Sequence, residues 1–169
     1  VLDGCIYVSA SLEHPGVLVQ HGPILRVVFG SRNPSYISPI LSAIQSDLCE
    51  SGIDGVLSTH IQRDALEKFS YVSPIGAAGV YLHAVAGDFQ KEGAARELFK
   101  SMIREISTLA AAMGYPFEKD YVKINLEILS NLSADATTSM QRDIMEGKPS
   151  ELDGLVMEPL RLAKKYSVS

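Results

Sequence analysis

A change of hydrophobic period near Ile61 restricts this chain more than any other feature. Upstream, short β-rich runs alternate with turn residues; downstream, apolar residues recur at three- and four-residue steps almost to the last residue. The upstream stretch is too small to close a sheet of its own, so its apolar faces need partners. The pattern predicts an α/β remnant over 1–61, the tail end of an α/β domain, followed by an all-α domain over 62–169.

In the first part, Cys5-Ile6-Tyr7-Val8 reads as a strand. Val17–Gln20 and Ile24–Phe29 read as a hairpin folded at His21-Gly22-Pro23, with Glu13-His14-Pro15-Gly16 as the turn before it. Ser38 followed by Pro39 predicts a helix start, Leu41, Ile44 and Leu48 its buried face, and Gly52 its stop. Val56–Ile61 predicts one more strand. In the second part, Asp64 to about Val85 predicts a long buried helix kinked at Pro74. The most regular helical spacing runs from Ala94 to Met113, closed by Gly114 with Pro116 beyond. Further helices are predicted over about Glu118–Leu132, Thr138–Glu146 and Ser150–Tyr166, the last with Asp153 as the capping-box partner of Ser150.

Composition excludes several classes. A chain of 169 residues, 46% hydrophobic and 21% charged, has the profile of a globular protein of one domain or one domain plus part of a second, not of a disordered one. No apolar run approaches the roughly 20 residues needed to cross a bilayer, so no membrane association is expected. A net charge of −5, with no basic cluster beyond Lys164-Lys165, gives no footprint for nucleic acid. Cys5 and Cys49, without CxxC spacing or ligand-spaced histidines, read as free buried thiols in a reducing compartment, which predicts a cytoplasmic protein and no structural metal. The start at Val1 in a strand pattern and the stop at Ser169 near a helical one are expected of a piece of a longer protein.

The glycine-rich loops that cradle a pyrophosphate are absent from these residues, as are GxSxG and HExxH. The four histidines, His14, His21, His60 and His83, share no spacing and read as surface or satisfied core groups. Three features can carry chemistry. Lys68 follows Ala65-Leu66-Glu67 at the edge of an apolar surface, where desolvation would make a lysine a usable proton donor; pairing with Asp64 one turn earlier is the structural alternative. Thr137-Thr138-Ser139 opens a short helix and offers hydroxyls and free N–H groups to an anion such as a carboxylate, although N-capping would also account for it. Gly147-Lys148-Pro149-Ser150-Glu151-Leu152-Asp153 places carboxylates in a helix's first turn, which capping and dipole complementarity also explain.

Taken in order, these segments resemble the ketopantoate reductases (2-dehydropantoate 2-reductases). Leu66-Glu67-Lys68 corresponds to the lysine segment that opens the family's C-terminal helical domain. Thr138-Ser139-Met140-Gln141-Arg142-Asp143 and Gly147–Asp153 correspond to its two later motifs. Glu13–Val17 and Gly22–Gly30 resemble the last hairpin of the family's cofactor domain. The resemblance implies the end of a Rossmann-type α/β domain followed by a helical domain of the 6-phosphogluconate dehydrogenase C-terminal-like type.

The resemblance also implies an NADPH-dependent reductase of 2-oxo acids acting on ketopantoate, in pantothenate biosynthesis. Lys68 takes the position of the proton donor, Ser139 that of a substrate-binding serine, and Glu151 that of a glutamate that contacts NADP and helps position the lysine. The family's two substrate-binding asparagines correspond here to Val72 and Gly76, which puts the exact substrate in doubt; Tyr71 and His83 are the candidates to replace part of that polar wall. The partners implied are a small 2-oxo acid and NADPH, with a homodimer compatible. The chain by itself is expected to be inactive, because the main cofactor-binding motif is missing from it. Two other readings stand beside this one: a reductase of the same architecture with another carbonyl substrate, and a non-catalytic helical packing or dimerisation module.

Overall fold

The computed structural model describes residues 1–33, 35, 36 and 38–168. They form two compact units, Val1–Ala65 and Leu66–Ser169, so the division lies a turn beyond Ile61, inside a helix.

In the first unit, β1 (Asp3–His14) and β2 (Val17–Gly30) pair antiparallel, α1 (Pro39–Glu50) crosses over, and β3 (Asp54–Leu57) joins β2 in parallel. The order β1-β2-β3 follows from connection length: a tight turn joins antiparallel neighbours, whereas a parallel pair needs a crossover such as α1. The hairpin folds at Pro15-Gly16, where Gly16 takes a left-handed φ of +88°, and not at His21-Gly22-Pro23 as expected. β2 instead runs through His21-Gly22-Pro23. It uses more residues than β1 between the pairs Val8↔Leu25 and Ala10↔Gln20, so Gly22 and Pro23 form a bulge in a continuous strand. Cys5, Val28, Phe29, Leu41 and Ile61 are the buried apolar residues of this unit, and Ile6, Val8, Leu12, Leu18 and Ile24 are exposed. Cys5 is buried as expected, but Cys49 is exposed near the end of α1, with its Sγ 3.6 Å from the Gly55 carbonyl oxygen. Strand β3 ends at Leu57, earlier than the run to Ile61 suggested, because Ile61 already begins α2 (Ile61–Leu82).

The second unit holds most of α2, then α3 (Ala86–Gln90), α4 (Ala94–Ala112), α5 (Tyr121–Ser130), α6 (Ser139–Met145), a π-helical turn (Asp153–Met157) and α7 (Glu158–Lys165). Its core joins Ile75 and Ala78 of α2, Phe89 of α3, Phe99 and Ile103 of α4, and Leu129 of α5. Phe99 and Ile103 are completely buried, and truncating a phenylalanine so placed costs about 3–5 kcal/mol. Gly114, at φ +90°, ends the α4 segment as its spacing predicts. Helix α5 begins later than expected because Asp120 caps it, accepting from the N–H groups of Val122 and Lys123. The last expected helix is also different: Asp153 does not cap Ser150 but opens the π-helical turn, and its carboxylate accepts two hydrogen bonds from Arg161, at 2.8 and 3.0 Å.

Candidate functional site

Helix α2 carries Lys68 and is the element against which the other candidate segments are held. After Tyr71 it carries Ser73 and then the run Gly76-Ala77-Ala78-Gly79, small residues that let neighbouring segments approach. Helix α6 packs over Gly76 and Gly79. A Cβ on Gly76 would lie 2.9 Å from the Met140 Cε, and one on Gly79 would lie 2.6 Å from the Gln141 amide. Gln141 is fixed in that position: its Nε2 donates to the Ala84 carbonyl at 2.8 Å, and its Oε1 accepts from the Thr138 backbone N–H at 3.0 Å. Thr138 in turn caps α6, its hydroxyl accepting from the Gln141 N–H at 3.2 Å. Ser139 follows as the first residue of α6 and is exposed.

The segment bearing Glu151 reaches α2 differently. Ser73, 4% exposed, donates its hydroxyl to the Leu155 carbonyl at 2.6 Å, inside the π-helical turn. The Glu151 carbonyl accepts from the Leu155 N–H at 2.8 Å, which joins Glu151 to the same turn. Glu151 itself is exposed and Lys68 is partly buried. Thus α6, just after Ser139, and the turn after Glu151 both dock on α2 within a few turns C-terminal to Lys68.

The other candidates lie elsewhere. Tyr71 leans into the core, its ring edge-on to Phe99 with centroids 5.9 Å apart, and its hydroxyl is covered and has no hydrogen-bond partner among the described residues. Burial pushes that hydroxyl up to about 12. The expectation that Tyr71 offers its hydroxyl to a substrate therefore gains no support from its position. His83 follows the end of α2, exposed and with a left-handed φ of 52°. Val72 is partly buried, and at Gly76 the Met140 methyl fills the space where a longer side chain would stand.

Among the described residues, no group of three or more His, Cys, Asp or Glu could hold a metal ion, and no helix is long and apolar enough to cross a membrane. A cleft of about 330 Å³ between α4 and the start of α5, with Arg104 and Lys119 in its wall, includes none of Lys68, Ser139 or Glu151. Sequence reasoning did not find Ser73 or Gly79, and it named Gln141 only as part of the Thr138–Asp143 segment. The signal available was a run of small and hydroxylated residues in an otherwise apolar helix, which marks close helix contact without naming the partner.

Comparison with known proteins agrees with this architecture. Residues 60–169 match the family model of the ketopantoate reductase PanE/ApbA C-terminal domain. Over all 169 residues the chain is 22% identical to an uncharacterized oxidoreductase, YkpB, of Bacillus subtilis (strain 168), and covers 55% of that protein. It superposes on the 2-dehydropantoate 2-reductases of Methylococcus capsulatus (TM-score 0.86, 21% identity) and Geobacter metallireducens GS-15 (TM-score 0.88, 20% identity), covering 99% of this chain and 53% and 56% of theirs. A D-mandelate dehydrogenase solved with NADH has the same fold, with TM-score 0.84, 19% identity, and 99% of this chain and 57% of that one covered. The fold is thus that of the helical C-terminal part of an oxidoreductase, preceded by a small sheet. The chain belongs to the ketopantoate reductase PanE/ApbA family and spans about half the length of the relatives it matches.

Proposed function

We propose that this chain is the substrate-side part of an NADPH-dependent reductase of 2-oxo acids. The observation that carries the proposal is the family match over 60–169, which contains Lys68, Ser139 and Glu151 together. Family membership makes ketopantoate the first substrate to test.

The residues present fit a nicotinamide cofactor at one end only. The exposed Glu151 carboxylate can accept hydrogen bonds of the kind sugar hydroxyls or an amide offer, whereas no glycine-rich phosphate loop lies in this sequence. Bound NADPH supplies a hydride to the ketone carbon. Lys68, as an ammonium, donates its proton to the carbonyl oxygen as negative charge develops there, and is left as the neutral amine. In this reading Glu151 is the carboxylate that helps position Lys68. Ser139, exposed at the start of α6, donates its hydroxyl to the substrate and fixes the ketone against Lys68.

A second reading, reduction of a 2-oxo acid other than ketopantoate, is favoured by Val72 and by Gly76 with Met140 packed over it. That wall offers methyl groups where hydrogen-bonding side chains would select a polar substrate. The test is a substrate panel: full-length protein, NADPH or NADH, and a series of 2-oxo acids with polar and apolar side chains, followed by loss of reduced nicotinamide. Turnover of at least one 2-oxo acid is expected, with NADPH preferred; ketopantoate ahead of all others would remove the second reading. No turnover with any member, by either nucleotide, would leave the packing-module reading in its place.

A further inference from the structure

We infer that Ser73 is a positioning residue, which holds the Glu151-bearing turn in register with Lys68. The inference rests on the reductase reading above and adds to it a residue that no motif marks. Ser73 lies on α2 just over one turn beyond Lys68, and Leu155 lies one turn beyond Glu151. The hydroxyl of Ser73 donates to the Leu155 carbonyl at 2.6 Å, and Ser73 is 4% exposed, so water does not compete for the contact.

The acceptor is unusual. Residues Asp153–Met157 are π-helical, the Glu158 N–H bonding back to the Asp153 carbonyl, and this wider turn is where the Ser73 hydroxyl adds a bond from another helix. The strain of a π-helical turn is retained where surrounding contacts hold it, and Ser73 from α2 and Arg161, which grips Asp153, are two such contacts. Removing the Ser73 oxygen leaves a methyl facing the Leu155 carbonyl and frees the turn to relax toward ordinary α-helix. Relaxing a wide turn rotates the residues before it, Glu151 among them, relative to α2. Displacement on the order of 1 Å is enough to lower a rate a hundredfold when the affected group positions a catalytic one.

The test uses the full-length protein with Ser73→Ala and Ser73→Thr beside Lys68→Ala. In Ser73→Ala we expect kcat to fall tenfold or more, with KM for the 2-oxo acid, which Ser139 binds, changed less than twofold. Ser73→Thr, which keeps the hydroxyl, is expected to recover most of kcat. A merely structural serine would lower the melting temperature and leave kcat per folded molecule unchanged. That result, or a loss confined to KM, or a threonine variant no better than alanine, would overturn the inference. Lys68→Ala separates the two levels: if it turns over like the wild type, the reductase chemistry assigned to Lys68 fails; if it is inactive while Ser73→Ala is normal, only the role of Ser73 fails.

Discussion

Tyr71 shows at the residue scale how one position can resemble a site in sequence and serve packing in the fold. Three residues after Lys68, it shares roughly the same helical face in projection, yet its ring meets Phe99 and its hydroxyl is covered. A linear spacing gives the angle around a helix but not which neighbour fills it, and here α4 does. Because the buried hydroxyl has no hydrogen-bond partner among the described residues, Tyr71→Phe is expected to be neutral or stabilising by up to about 1 kcal/mol at neutral pH. Its raised pKa, about 12 against 10.0, fixes the sign at high pH. The folded chain keeps the proton where the unfolded chain releases it, so Tyr71's contribution is intact below about 10 and is lost as pH rises through about 12. Urea midpoints of wild type and Tyr71→Phe should therefore separate further above pH 10, with wild type the weaker; a constant difference would show the hydroxyl to be solvated.

At the scale of elements, the segments that the sequence reading recovered are those whose spacing is dictated by one continuous face. Helix α4, with Phe99, Ile103, Ile106 and Leu109 buried, is such a case, and so is α6, whose Thr138 and Gln141 form the capping box. The segments it misread depend on partners far along the chain. His21-Gly22-Pro23 has turn chemistry but sits opposite β1, whose pairing carries the strand through it. Asp153 has cap spacing, but Arg161 competes for its carboxylate and holds it below the usual carboxylate range. The contact of α6 with α2 makes a further prediction. Gly79→Ala would drive a Cβ into the Gln141 amide, which is held by Ala84 and Thr138, so a loss of about 1–3 kcal/mol is expected. In a Gln141→Ala background the space is open and the same change should cost much less, as a double-mutant cycle by chemical denaturation would read. An equal cost in both backgrounds would place the clash elsewhere.

For the whole molecule, the break near Ile61 was legible because a sheet and a helical bundle impose different periods on their apolar residues. The residues expected to carry chemistry were legible only by resemblance: Lys68, Ser139 and Glu151 are separated by long stretches, and no local pattern announces that α6 and the π-helical turn return to α2. The bonds that return them, Ser73 to Leu155 and Gln141 to Ala84, come from ordinary polar residues whose meaning appears only in the fold. The central claim of the proposed function is that Lys68 gives the proton that completes ketone reduction. The direct measurement is the single-turnover rate of reduced-nicotinamide oxidation by full-length wild type and Lys68→Ala, with NADPH affinity measured in parallel. The rate should fall by orders of magnitude in Lys68→Ala, by about 10²–10⁴-fold for loss of a general acid, while NADPH binding stays within a few-fold. An unchanged rate, or a loss explained wholly by failure to bind NADPH, would contradict the assignment.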